Sequence, residues 1–126
     1  MGLYNFKKRF VPMILAGTKT HTIRELRAHP DKPGNTLHLY TGLRQKGARL
    51  LMRVPCVKVE DITIHGANAH QLPTIYIDGI ELSRTETEAF AKRDGFGSFA
   101  EMLEFWNEAG RVFPWRGQVI HWRRLE

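Results

Sequence analysis

Cysteine is almost missing from this chain: Cys56 is the one thiol in 126 residues. A single thiol excludes an internal disulfide framework and fits a reducing cytoplasm. Its place in the apolar-rich run 50–59 marks it as buried and inert rather than nucleophilic. Long apolar runs are missing as well. None approaches the roughly 20 residues that span a bilayer, so no membrane partner is expected. Lys7, Lys8 and Arg9 lead into no long apolar stretch, which argues against a secretory signal peptide. Phe6 stands where a myristoylation signal needs Ser or Thr. There is no Gly-rich phosphate loop and no dinucleotide fingerprint. His65 and His70 flank Gly66-Ala67-Asn68 without a third ligand at workable spacing, so no metal or other cofactor is expected. Repeats, low-complexity tracts and linkers are lacking, and residues 1–126 read as one domain with a single core.

Acids are scarce at both ends. Residues 1–53 carry eleven Lys or Arg against two acids, 54–110 carry four against ten, and 111–126 carry four against one. If a C-terminal strand pairs near the N-terminal ones, the two basic ends form one face. Such a face attracts phosphate and makes RNA or a nucleotide the leading partner class, although a basic surface also serves solubility alone. Seven Phe, three Trp and three Tyr within a 42% hydrophobic composition indicate a packed globule.

The elements that can be read are short. Pro12 can open a helical turn over 11–16, and Gly17 sits where a helix stops in the left-handed conformation. A polar loop over 28–35 leads into the alternating strand Thr36-Leu37-His38-Leu39-Tyr40. A long strand is expected over 49–64, bent or bulged at Pro55, which cannot donate to a ladder. Asp78-Gly79 marks a two-residue hairpin turn. Ser83 with Glu86, and Ser98 with Glu101, read as capping boxes opening two helices. The first turns Ala89, Phe90 and Arg93 to one face; the second turns Met102, Leu103 and Trp106 inward. A last strand runs from Gly117 to the end of 117–125, with Trp115 and Arg116 in the loop before it.

The segment Gly17-Thr18-Lys19-Thr20-His21-Thr22-Ile23-Arg24 carries the most chemistry. After Gly17 the pattern alternates, so that Thr20, Thr22 and Arg24 share one side of a strand with Lys19 at its root. Two hydroxyls, a guanidinium and an ammonium suit a polar ligand, anionic or amide-bearing; the same residues also read as a solvated edge strand. Elsewhere, Arg44, Lys46 and Arg49 read as phosphate contacts or as a solvated basic loop. Tyr40, which closes the strand before that loop, is counted with these candidates for substrate or RNA binding. Trp115 beside Arg116 reads either as a stacking platform for a base or as a plug for one end of the fold.

Taken in order, these landmarks resemble a known family. They are Leu15-Ala16-Gly17-Thr18-Lys19-Thr20-His21-Thr22-Ile23-Arg24, Gly34 before Leu37-His38-Leu39-Tyr40, and Gly42-Leu43-Arg44. Then come Cys56 before Val57, Asp94-Gly95-Phe96 with a helix after it, and Phe113 followed by Gly117-Gln118-Val119-Ile120-His121-Trp122. Together they are similar to the ASCH domain, a relative of the PUA barrel, over nearly the whole chain. The sequence departs from the pattern at Asn35, where the family usually has Asp, and in the longer segment 68–81. The resemblance implies an α+β fold, a small PUA-like β-barrel with flanking α-helices and a cleft beside the Gly17-x-Lys19 segment. It also implies recognition of RNA or a modified nucleoside. One compact bacterial branch is an amidohydrolase that removes the acetyl group from N4-acetylcytidine with a Lys, a Thr and a Glu. Its Lys and Thr match Lys19 and Thr22, and its Glu falls on Asp94, one methylene shorter. Another member is linked to RNA cleavage, which adds ribonuclease action as a third reading.

Amide hydrolysis needs a nucleophile, a base and a charge to steady the oxyanion. Thr22 could supply the hydroxyl, Lys19 the base, Arg24 the charge and, through the resemblance, Asp94 the acid. A lysine starts near pKa 10.4 and acts as a base only when burial or nearby cations lower that value. Without such a shift, a Lys19–Asp94 pair orients a ligand and does no chemistry.

Overall fold

The longest strand, β4 (Arg49–His65), sets the architecture because it serves two halves of the sheet in turn. In the computed structural model, which describes residues 2–66 and 72–123, its first half pairs antiparallel with β3 (Thr36–Thr41). On its far side β3 pairs in parallel with β1 (Gly2–Phe6). The second half of β4 pairs with β7 (Trp115–Trp122), from Cys56 opposite Trp122 to Ile64 opposite Trp115. β7 then pairs antiparallel with β2 (His21–Glu25), which brings the two basic ends of the chain together. The other edge of β4 carries the hairpin of β5 (Thr74–Ile77) and β6 (Ile80–Glu81). The result is a small α+β domain in which a mixed sheet curls into a half-barrel. Among the described residues three α-helices flank it: α1 (Val11–Ala16), α2 (Arg84–Arg93) and α3 (Phe99–Glu108).

The bend in β4 falls just beyond Pro55. Its register against β7 slips between Cys56 and Lys58, leaving Val57 exposed. A bulge of this kind adds a residue to one strand and sharpens its twist, which carries β4 from one half of the sheet to the other. Pro55 itself stays opposite Thr36, and its carbonyl accepts from Arg123 N (3.3 Å). Asn35 does the turn work of its loop, its side chain accepting from Lys32 N (2.6 Å).

Alternation fills the interior along β1 and β3, where Tyr4, Phe6, Leu37 and Leu39 are buried, while β7, paired on both edges, buries the consecutive Val119 and Ile120. Tyr4 is wholly buried and keeps its hydroxyl satisfied by donating to Asp31 (2.6 Å). The Asp78-Gly79 turn has the double positive φ (50° and 81°) that a twisted two-residue hairpin needs. Ser83 and Glu86 form a complete capping box. Ser98 caps α3, but the Glu101 carboxylate turns away to Arg9 and to Gly97 N, so the second box is only half made. Helix α2 buries Thr87, Phe90 and Ala91, while Arg93 is exposed, because its inward stripe starts from residue 87. β7 begins at Trp115, so Trp115 and Arg116 are strand residues, paired with Ile64 and Thr63. His70, most of the loop before β5 and Leu125 lie outside the described residues. No helix among the described residues is long and apolar enough to cross a membrane.

Gly117 sits where three strands meet, opposite Glu25 on one side and Ile62 on the other. A Cβ there would overlap the Arg24 carbonyl oxygen and the Trp115 ring. Gly117→Ala should therefore push β2 off β7 and cost about 1–3 kcal/mol, as overpacking does. The check is urea denaturation, with a lower midpoint at an unchanged slope; a variant as stable as the parent contradicts this packing.

Candidate binding cleft

Among the described residues β1 and β2 face each other without a backbone ladder. An unpaired strand edge leaves carbonyls that need donors. Here two guanidinium groups supply them: Arg24 Nη2 donates to Asn5 O (2.7 Å) and Arg27 Nη2 to Leu3 O (2.9 Å). Side chains bridge a gap of this width but do not fill it, and a cavity of about 540 Å³ opens at the seam. Its walls come from β1, β2, the connection between α2 and α3, and α3 itself.

Lys19 enters the cleft because α1 ends as its sequence dictates. Gly17 adopts φ 81°, and the N–H groups of Thr18 and Lys19 both fold back onto Met13 O (3.0 and 3.1 Å). The Lys19 ammonium then donates to the backbone carbonyl of Asp94 (2.6 Å) and to its Oδ1 (2.7 Å), across a separation of 75 residues. Both residues are nearly sealed from solvent, at 2% and 6% exposure, so the pair is a desolvated one. Asp94 caps the C-terminal end of α2, where a cation also meets the negative end of the helix dipole. The Phe10 ring lies 4.9 Å from the ammonium. His21 Nε2 sits 3.2 Å from the same Oδ1 without aligning as a hydrogen bond, and the His21 ring stacks on Phe90.

These contacts set the protonation balance. Burial alone would raise the Asp94 carboxyl, but Lys19 first and then His21 outweigh it and hold the group below its ordinary value. Burial lowers Lys19, and the neighbouring carboxylate offsets that only in part. Arg24 is pulled down to about 10, by burial first and by Arg27 second. Its Nε donates to Thr22 Oγ1 (3.0 Å), so the Thr22 hydroxyl accepts there and keeps its own proton free to donate elsewhere.

Lys19, Thr22, Arg24 and Asp94 all line the cleft. The other expected binding residues do not. Thr20 is half-buried, and its carbonyl extends the ladder by accepting from Trp122 N (2.9 Å). Tyr40 lies opposite Asn5 on the far side of β1. Arg44 and Lys46 are exposed in the loop after β3, which is tied to the seam by Leu43 N donating to Asn5 Oδ1 (3.0 Å). Trp115 packs over Gly117 and beneath the Arg111 guanidinium (3.9 Å), and Arg116 is exposed on β7. Sequence reasoning missed Phe6, Arg27, Phe96 and Arg111 as cleft residues. The basic C-terminal segment was the only signal pointing toward Arg111.

Among the described residues no group of three His, Cys, Asp or Glu side chains is placed to hold a metal ion. No protein-family model, curated protein or solved structure matches this chain.

A carboxyl held low in the folded protein contributes stability that is present above its unfolded pKa, near 3.9, and lost as pH falls through the folded value. Below about pH 5 the unfolded chain thus binds more protons at Asp94, and acid destabilises the fold. Asp94→Asn should flatten that acid dependence. It should also cost about 3–5 kcal/mol near neutrality by leaving the Lys19 ammonium buried without a counter-charge. Urea denaturation of both proteins between about pH 3 and 7 tests this; parallel acid slopes contradict it.

Proposed function

We propose that this chain is an ASCH-type, PUA-related domain that binds RNA or a modified nucleoside in the seam cleft built around Gly17-x-Lys19-x-x-Thr22-x-Arg24. The observation that carries this reading is the composition of the cleft. Lys19, Thr22 and Arg24 share it with the rings of Phe6, Phe10, Phe96 and Trp106. An aromatic lining beside hydrogen-bond donors suits a base, and an excess of cations over carboxylates suits phosphate. A volume of about 540 Å³ fits a nucleoside. Because Asn5 ties the Arg44–Lys46 loop to the lip of the cleft, a single strand leaving the cleft has a basic path to follow.

A second reading, hydrolysis of an N4-acetylcytidine-type amide, draws on two specific features. The Thr22 proton is free, and burial lowers Lys19 toward the range where an amine accepts a proton. In this reading Thr22 Oγ1 attacks the acyl carbonyl, its proton passes to neutral Lys19, and Arg24 steadies the oxyanion. The C–N bond then breaks as Lys19 returns the proton to the exocyclic amine, and water hydrolyses the acyl-Thr22 ester to release acetate. Asp94, held ionised, then orients Lys19 in place of the acid role that the resemblance implies.

Titration of the protein with cytidine, N4-acetylcytidine and short single-stranded RNA at low salt tests the first reading; acetate release tests the second. Lys19→Met should weaken nucleoside binding by about 1.5–3 kcal/mol, the value of a charged hydrogen bond. Thr22→Val should retain binding and, if acetate is released by the parent, abolish that release. RNA affinity should fall with salt at a slope of about −0.7 per neutralised phosphate, and replacing Arg44 and Lys46 with Ala should flatten it by about 1. A parent protein that binds none of these ligands would overturn the reading.

A further inference from the structure

Five cations line the cleft: Lys7, Lys19, Arg24, Arg27 and Arg111. Three of them are occupied by the fold. Lys19 is bonded to Asp94, Arg24 to Asn5 O and Thr22, and Arg27 to Leu3 O. Arg111 differs. Its guanidinium lies 3.9 Å from the Trp115 ring and 5.1 Å from the Trp106 ring. Nη1 is buried and has no hydrogen-bond partner among the described residues. The nearest carboxylates, Glu25 and Asp94, act on it only from beyond ion-pair range. A half-buried guanidinium held by rings alone has lost much of its hydration without gaining an oxygen partner, a state that costs free energy until an acceptor arrives. Lys7, likewise without an oxygen partner among the described residues, rests over Phe105 (5.0 Å), next in sequence to Trp106 on α3. The two unoccupied cations therefore both sit on the α3 side of the cleft, apart from the Lys19–Asp94 pair.

We infer that Arg111, seated on Trp106 and Trp115, is the anion receptor of the cleft and selects ligands that carry a phosphate, an inference that rests on the nucleoside-binding reading above. The rings hold the planar fork in place, so little conformational freedom is lost when phosphate oxygens meet it, and a guanidinium suits such an acceptor better than an ammonium does. Lys7, on its flexible stem, adds charge at the rim.

The test compares the four nucleosides with their 5′-monophosphates on the full chain, with inorganic phosphate as competitor. Monophosphates should bind about ten- to one-hundred-fold more tightly than nucleosides, and phosphate should displace them. Arg111→Gln should lose most of that gain, and Arg111→Lys should keep a smaller part of it. A pentanucleotide without terminal phosphates distinguishes an internal phosphodiester from a terminal group; a gain with either supports the receptor. Equal affinity for all three ligand forms overturns it, as does a gain that survives Arg111→Gln. Should that variant fail to fold, an undiminished gain in Arg111→Lys overturns it equally. If the parent binds neither nucleosides nor nucleotides, the cleft reading itself fails; if it binds nucleosides without a phosphate gain, only the Arg111 receptor fails.

Discussion

The Lys19 ammonium, bonded to both the backbone carbonyl and the carboxylate of Asp94, ties the root of β2 to the end of α2 through the interior. Burying an ion pair is unfavourable unless its geometry is good and the remaining polar sites find partners. Here the carboxylate has Lys19 and a close His21, and the ammonium has two oxygens and the face of Phe10. The pair also fixes the course of the chain just past α2. Gly95, at φ 101°, packs so closely on Met13 and Phe10 that an added Cβ would have to displace them, and this contact holds the α2–α3 connection against α1. Loss of the pair would loosen both walls of the cleft at once.

The cleft itself follows from how the sheet fails to close. A curled sheet brings its first and last strands near each other, and backbone pairing there would have made a sealed barrel. Arg24 and Arg27 reach across instead, meeting carbonyls of β1 with side-chain donors. Long side chains span a wider gap than a ladder can, so the strand edges are satisfied and the space between them stays open. The same guanidinium that closes the edge electrically also charges the opening.

What the sequence made legible divides along a physical line. Gly17, Asp78-Gly79 and the Ser83–Glu86 box act within a few residues of themselves, and their local rules held in the structure. Lys19, Thr22 and Arg24 came from the spacing of a single strand. Asp94 was reached only through a resemblance, because a contact across 75 residues leaves no local trace. Thr20 shares the parity of Thr22 and Arg24, yet its backbone is already engaged with Trp122 and its side chain lies outside the cleft. Trp115 read as a loop residue, since its pairing with Ile64 joins distant parts of the chain and leaves no local trace before Gly117. Arg111 had only the basic charge of the C-terminal segment to point to it: its seat is assembled from a helix and a strand that meet only in the folded chain.

Donor accounting narrows what the cleft can hold. An ammonium has three donors, and two of those on Lys19 go to Asp94. Arg24 commits Nε and Nη2, but a guanidinium has five N–H groups, so some remain; Thr22 adds its hydroxyl proton, and Arg111 its fork. The acceptor side is sparser: the Asp94 carboxylate is already taken, which leaves Glu25, exposed at the end of β2. A ligand rich in donors would leave its own groups unpaired against these cations, at about 1–3 kcal/mol for each buried one. A ligand that presents carbonyl or phosphate oxygens satisfies itself and the cleft together. The arrangement that holds the half-barrel's seam would therefore, in the proposed binding role, also favour ligands that bring acceptors.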